Sequence, residues 1–173
     1  MKNDLMFSSK SDEWSTPQDL FDELNAIFLF DVDLASTAEN AKVPSFYTKE
    51  MDSLSISWSG DTARKDGPET AVCVSFGLAS IQPTACGWLN PPYSRGLCAK
   101  FIAKAAEERR QGFLTVMLLP ARTDTKAFHA HIYDASTGQP RPGVEIRFLP
   151  GRLKFGGSTN SAPFPSMIVV FRP

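Results

Sequence analysis

Between Phe113 and Leu119 the chain runs Phe-Leu-Thr-Val-Met-Leu-Leu, with Thr115 its only polar member. A strand with one wet face alternates apolar and polar side chains, so a stretch without alternation needs cover on both sides. That suits a buried parallel strand, and the flanking sequence offers the cover. Leu97 to Arg110 has helical spacing, with Leu97, Phe101, Ile102 and Ala105 on one face, Glu107 to Arg110 solvated and Gly112 as a stop. A further helix is expected from near Thr123-Asp124 to Tyr133. Upstream, Thr16-Pro17-Gln18-Asp19 reads as a helix start, Thr at the cap and Pro at the first helical position, followed by Leu20, Phe21, Leu24, Ile27 and Phe28 at helical spacing.

Strand patterns alternate with these helices. Phe28 to Leu34 switches to period two and ends in the small-residue turn Ala35-Ser36-Thr37-Ala38, and Ser45 to Thr48 is a second short candidate. Val144 to Leu149 alternates, Pro150-Gly151 turns, Arg152 to Phe155 returns, and Ser166 to Phe171 closes as an apolar strand. The succession predicts a three-layer α/β/α domain with a mostly parallel sheet and an antiparallel C-terminal strand. One domain over residues 1–173 is expected, with 1–13 as a polar arm and 59–86 as an insertion loop.

Composition narrows the function classes. Eighteen basic against nineteen acidic residues give a formal charge of −1, so nucleic acid is not held by a strongly basic surface overall. Cys73, Cys86 and Cys98 form no C-x-x-C pair, and with His129 and His131 as the only imidazoles no metal site is expected. The polar start Met1-Lys2-Asn3-Asp4 does not read as a signal peptide, and no apolar run is long enough to span a bilayer, so a cytoplasmic setting is expected.

Asn90-Pro91-Pro92-Tyr93 carries the chemistry. It lies between the end of a short apolar strand, Trp88-Leu89, and Ser94, which can start a helix. An Asn on that corner offers an amide oxygen, the prolines stiffen the turn, and Tyr adds a flat face. An acceptor oxygen and a backbone carbonyl can take the two N–H bonds of a planar amine while the ring stacks on its heterocycle. A ligand-free strand-to-helix turn uses the same dipeptides. In α/β sheets ligands bind at the carboxyl ends of the strands, where this corner, Asp33 and the Pro120 turn would converge.

Several spaced blocks then resemble the phage and prophage Dam-like DNA N6-adenine methyltransferases. They are Asp12 to Pro17, Phe30 to Ser36, Glu39-Asn40-Ala41, Asp52-Ser53-Leu54 with Trp58, Asn90 to Ser94, Leu119 to Thr125 and Gly151 to Phe155. The resemblance covers roughly residues 12–58 and 87–172. It implies a Rossmann-like S-adenosylmethionine-dependent fold, S-adenosylmethionine as methyl donor, and the N6 amine of adenine in double-stranded DNA as acceptor, in a bacterial host cytoplasm. A homodimer is compatible with it.

Within that resemblance Asn90, Pro91, Pro92 and Tyr93 form the catalytic corner, with Tyr93 stacked on a base flipped out of the duplex. Trp14, Thr16, Pro17, Asp33, Ala35, Ser36, Glu39 and Asp52 are the donor-binding candidates. Asp33 would meet the donor's ammonium, Glu39 its ribose hydroxyls and Asp52 its adenine amine. Ala35-Ser36 stands where a G-x-G turn is common, and small residues still permit close backbone approach. Arg122, Arg152, Lys154 and Phe155 are candidate DNA contacts, through phosphates and stacking. Each also has a plain structural reading, as a cap, a solvated acid or a core aromatic. Two other functions fit the same corner: methylation of a planar nitrogen in protein or RNA, and a catalytically decayed nucleic-acid-binding module. Target reading falls to loops, 59–86 and 156–165 foremost, or to a partner subunit.

Overall fold

The computed structural model of the protein describes residues 14–61, 74–75, 78–79, 85–94 and 96–173. The expected polar arm, and the expected insertion apart from 59–61, 74–75, 78–79 and 85–86, lie outside the described residues. The strands are β1 (Val32–Asp33), β2 (Val74–Ser75), β3 (Leu78–Ala79), β4 (Ala85–Leu89), β5 (Phe113–Pro120), β6 (Tyr133–Asp134), β7 (Gln139–Pro140), β8 (Val144–Phe148) and β9 (Ser166–Phe171). The helices are α1 (Gln18–Phe28), the single turn α2 (Trp58–Asp61) and α3 (Leu97–Glu108).

A five-stranded sheet has the order β1-β4-β5-β9-β8. β1 pairs with β4 and β4 with β5 in parallel, whereas β9 runs antiparallel to both β5 and β8. The last strand therefore opposes the direction shared by the other four, as its position in the sequence led one to expect. Beyond β1 a parallel bridge joins Asp33 to Phe46, so the expected strand at Ser45 to Thr48 is present as one rung. β2 with β3, and β6 with β7, form separate antiparallel pairs. Because β4 begins at Ala85, the final two residues of the expected 59–86 loop are strand.

The Phe113 run is covered on both faces. Phe113, Met117 and Leu119 join a core cluster with Phe101, Ile102 and Ala105 of α3. Leu114, Val116 and Leu118 point the other way, into a cluster with Leu20, Phe21, Leu24 and Phe28 of α1. Period-two side chains on one strand thus enter two cores, and this double burial removes alternation from the sequence. Between β1 and β5 there is no room for a side chain at Gly87. A Cβ there would lie 2.7 Å from Leu34 Cδ1 and 2.8 Å from Phe113 Cε1.

Some local expectations shift. Pro17, not Thr16, is the N-cap of α1, because the Thr16 hydroxyl is engaged elsewhere. α3 ends in a 3-10 turn, Arg109–Gln111, closed by Gly112 at φ 91°. Glu108, expected among solvated residues, is fully buried. One of its oxygens accepts the backbone N–H groups of Trp58 and Ser59 at 3.0 and 3.3 Å, and the other pairs with Lys104 at 2.7 Å. It caps α2 from a distant helix, and that task draws the carboxylate inward. The helix expected before Tyr133 contains a π-helical segment, Phe128–Ile132. Arg152 to Lys154 form no return strand and lead into a 3-10 turn, Phe155–Gly157. No helix among the described residues is long and apolar enough to cross a membrane.

Candidate active site

Two strand ends build the site. Asp33 of β1 is paired with Trp88 of β4, and Leu34 N–H donates to the Trp88 carbonyl at 2.9 Å. Continuing that register by two residues sets Ala35 level with Asn90 at the carboxyl edge of the sheet. A cleft of about 660 Å³ opens there, lined from both sides. Trp14, Thr16, Asp33, Ala35, Ser36, Glu39 and Asp52 line it, as do Asn90, Pro91 and Pro92.

Asn90 is held at both ends of its amide. Its Nδ2 donates to the Trp14 carbonyl and, at 3.0 Å, to Thr16 Oγ1. A carbonyl can only accept, so the nitrogen must face Trp14 and the oxygen the other way. Oδ1 accepts the Tyr93 hydroxyl at 2.8 Å, which leaves it one further lone pair. The Pro91 carbonyl receives no hydrogen bond among the described residues.

Tyr93 sits behind the corner. It is 6% exposed and does not line the cleft. Its hydroxyl lies also 3.3 Å from the Leu118 carbonyl, and its ring meets Phe155 and Phe164 edge-on at 6.3 and 5.6 Å. Burial pushes its pKa well above the usual phenol value.

Asp33 is the buried acid of the cleft, 2% exposed. Its carboxylate accepts Ala35 N–H at 3.3 Å and Lys42 N–H at 3.1 Å. Burial outweighs these donors and raises its pKa to about 6. Ser36 Oγ, also buried on the cleft wall, has no hydrogen-bond partner among the described residues. Ser53 Oγ donates to the Leu34 carbonyl at 2.6 Å and Trp58 Nε1 donates to the Ser53 carbonyl at 2.8 Å, which ties the following loop to the end of β1.

The other candidates are spread more widely. Glu39 and Asp52 are exposed at the cleft, and Asp52 adopts φ 44°. A hydrogen bond with the Thr37 side chain lowers the pKa of Glu39. Arg122, Arg152 and Lys154 are exposed but do not line the cleft, and neither does Pro17. Phe155 is 4% exposed and packs edge-on against Trp14 at 5.2 Å. Gly156 N–H donates to the Ser15 carbonyl at 2.8 Å, so the loop carrying Arg152 and Lys154 clasps the segment that carries Trp14 and Thr16. Lys42, Lys49 and Glu50 also line the cleft, and no local pattern singles them out in the sequence. Among the described residues no group of three or more His, Cys, Asp or Glu side chains is placed to hold a metal ion.

The model of the family described as "DNA N-6-adenine-methyltransferase (Dam)" matches residues 5–70 and 79–173. A DNA N-6-adenine-methyltransferase of Haemophilus phage HP1 is 27% identical over 168 residues, covering 95% of this chain and 81% of that protein. A DNA N-6-adenine-methyltransferase of Escherichia phage T1 is 31% identical over 118 residues, covering 68% of this chain but 39% of the longer relative. No solved structure matches the chain.

Proposed function

This chain belongs to the DNA N-6-adenine-methyltransferase (Dam) family, and on that premise we propose that it transfers a methyl group from S-adenosylmethionine to the N6 amine of adenine in double-stranded DNA. The carrying observation is the Asn90 amide, turned so that its oxygen end is set by Tyr93 while its nitrogen end is used up by Trp14 and Thr16. An acceptor so fixed beside an unengaged Pro91 carbonyl suits the two N–H bonds of a planar amine. The lone pair of that amine is delocalised into its ring. Accepting both hydrogens favours the tetrahedral nitrogen that attacks, and holding it in place supplies much of the rate. The adenine must leave the duplex to reach the corner.

The donor side of the cleft fits S-adenosylmethionine. A buried carboxylate at Asp33 suits its ammonium, and the unpartnered Ser36 hydroxyl is a ready hydrogen-bonding group beside the small Ala35. Glu39 and Asp52 are our candidates for the ribose hydroxyls and the donor's adenine, with Trp14 and Thr16 forming the opposite wall. When bound, S-adenosylmethionine supplies a methyl group made electrophilic by its sulfonium. Asp33 then orients that end toward the corner, and Asn90 and Pro91 hold the accepting nitrogen.

We read residues 1–173 as one Rossmann-like, three-layer catalytic domain. The helices on opposite faces of β5 support that reading. The family match breaks between residues 70 and 79, which supports an insertion in the 59–86 region, where target reading would lie. Arg122, Arg152 and Lys154 would meet phosphates, and the setting is the bacterial host cytoplasm. The test is transfer of labelled methyl from S-adenosylmethionine to DNA, RNA and protein offered side by side. Label in DNA adenine supports the proposal; label only in RNA or protein overturns it.

A further inference from the structure

We infer that β8 is the surface through which two copies of this chain pair, antiparallel and about a two-fold axis at Ile146. β8 is an outer strand of the five-stranded sheet, and among the described residues no strand is paired to its other side. Its ladder with β9 decides which groups face outward. Arg172 N–H donates to the Gly143 carbonyl at 2.8 Å, and Leu149 N–H to the Ser166 carbonyl at 3.0 Å. Bonded and non-bonded pairs alternate along an antiparallel ladder, so Glu145 and Arg147 spend their backbone groups on Val170 and Ile168. The N–H and C=O groups of Ile146 and Phe148 therefore point away from the sheet. Neither residue makes a backbone hydrogen bond elsewhere among the described residues. Such an open row is a template for another strand.

The side chains select a second copy as that strand. Val144-Glu145-Ile146-Arg147-Phe148 has apolar and charged residues at mirrored positions about Ile146, and the two charges are of opposite sign. An antiparallel copy centred on Ile146 sets Glu145 opposite the partner's Arg147, and Val144 opposite the partner's Phe148. Opposite charges then meet on one face of the ribbon and apolar side chains on the other. A centre at Glu145 or at Arg147 would instead set like charges against each other. Both charged residues already sit in partly exposed ion pairs, Arg147 with Glu23 at 2.7 Å and Glu145 with Arg172. Pairing joins these into one row of alternating sign. On the other face Val144 and Ile146 extend the core beside α3, and Phe148 lies 58% exposed at the end of the strand. The patch is self-complementary, as a two-fold contact requires. No residue of β8 lines the cleft, so the inference does not rest on the methyl-transfer reading.

Sedimentation of the whole chain across a dilution series tests this. The wild type should be a dimer that dissociates on dilution. Arg147→Glu and Glu145→Arg each set like charges across the two-fold, and association should weaken by about 100-fold or more in either. Mixed together, the two variants regain opposite charges at both positions and should form a one-to-one dimer. The unaltered chain gives a second reading through hydrogen exchange. Its Ile146 and Phe148 amides should be protected at high concentration and lose that protection on dilution. If a charge reversal unfolds the chain, this exchange decides the inference. A monomeric wild type would overturn it, as would a dimer indifferent to both reversals or a mixture of the two variants that stays monomeric. A dimer whose Ile146 and Phe148 amides exchange as fast as in the monomer would overturn it too.

Discussion

Tyr93 donates its hydroxyl to Asn90 Oδ1 at 2.8 Å, closing a side-chain bond across the two prolines that separate them. The bond points the tyrosine into the core and the asparagine along the cleft. Asn90 in turn reaches back 74 residues to Thr16 and 76 to Trp14. The acceptor corner and the N-terminal segment are therefore one unit, and its other neighbour is the loop of Arg152 and Lys154.

Thr16 tests that unit from the far side. Thr16→Val keeps the shape and removes the oxygen that accepts from Asn90. We expect stability to fall by about 1 kcal/mol and kcat by about tenfold, with Thr16→Ser restoring both. Denaturant titration and steady-state kinetics check this. Unchanged stability and kcat in Thr16→Val would separate the Thr16 hydroxyl from the placement of the Asn90 amide.

On the proposed role of Asp33, donor binding should depend on pH. Its folded-state pKa is raised to about 6 by burial, so the folded chain binds more protons than the unfolded one between the ordinary value of 3.8 and about 6. Its contribution to stability therefore diminishes as pH rises through that window, while the charged form needed for a cation appears. Donor affinity should rise through a pH of about 6 and then level off, as calorimetry would show. A flat profile across that range would separate Asp33 from the donor. Asp33→Asn, which cannot pair with a cation, should weaken binding by at least about tenfold.

Glu108 is a stability residue. Glu108→Ala leaves the Trp58 and Ser59 N–H groups and the Lys104 ammonium without their shared carboxylate. Its burial puts the cost at about 3 kcal/mol, measurable by chemical denaturation. A loss within experimental error would mean that water replaces the carboxylate freely.

How much of this was legible depended on range. The Phe113 run, the direction of the last strand and the Asn90 corner were readable because each is a property of a few adjacent residues. Asp33 and Asn90 could be placed at one edge because parallel strands end on the same side. The inward Tyr93, the buried Glu108 and the Thr16 hydroxyl were not readable. Each is decided by a partner far along the chain: Leu118 and Phe164, Trp58, or Asn90. Phe155 likewise looks like a stacking residue beside Arg152 and Lys154 until Trp14 packs onto it.

The central claim is that the Asn90 corner methylates adenine N6 in DNA. The direct measurement is the N6-methyladenine content of DNA incubated with S-adenosylmethionine and either the wild type or Asn90→Ala, with donor binding measured in parallel. N6-methyladenine should accumulate with the wild type and fall by at least about 100-fold with the variant, while both bind donor. Methylation that persists in Asn90→Ala, or a wild type that leaves adenine unmodified, would contradict it.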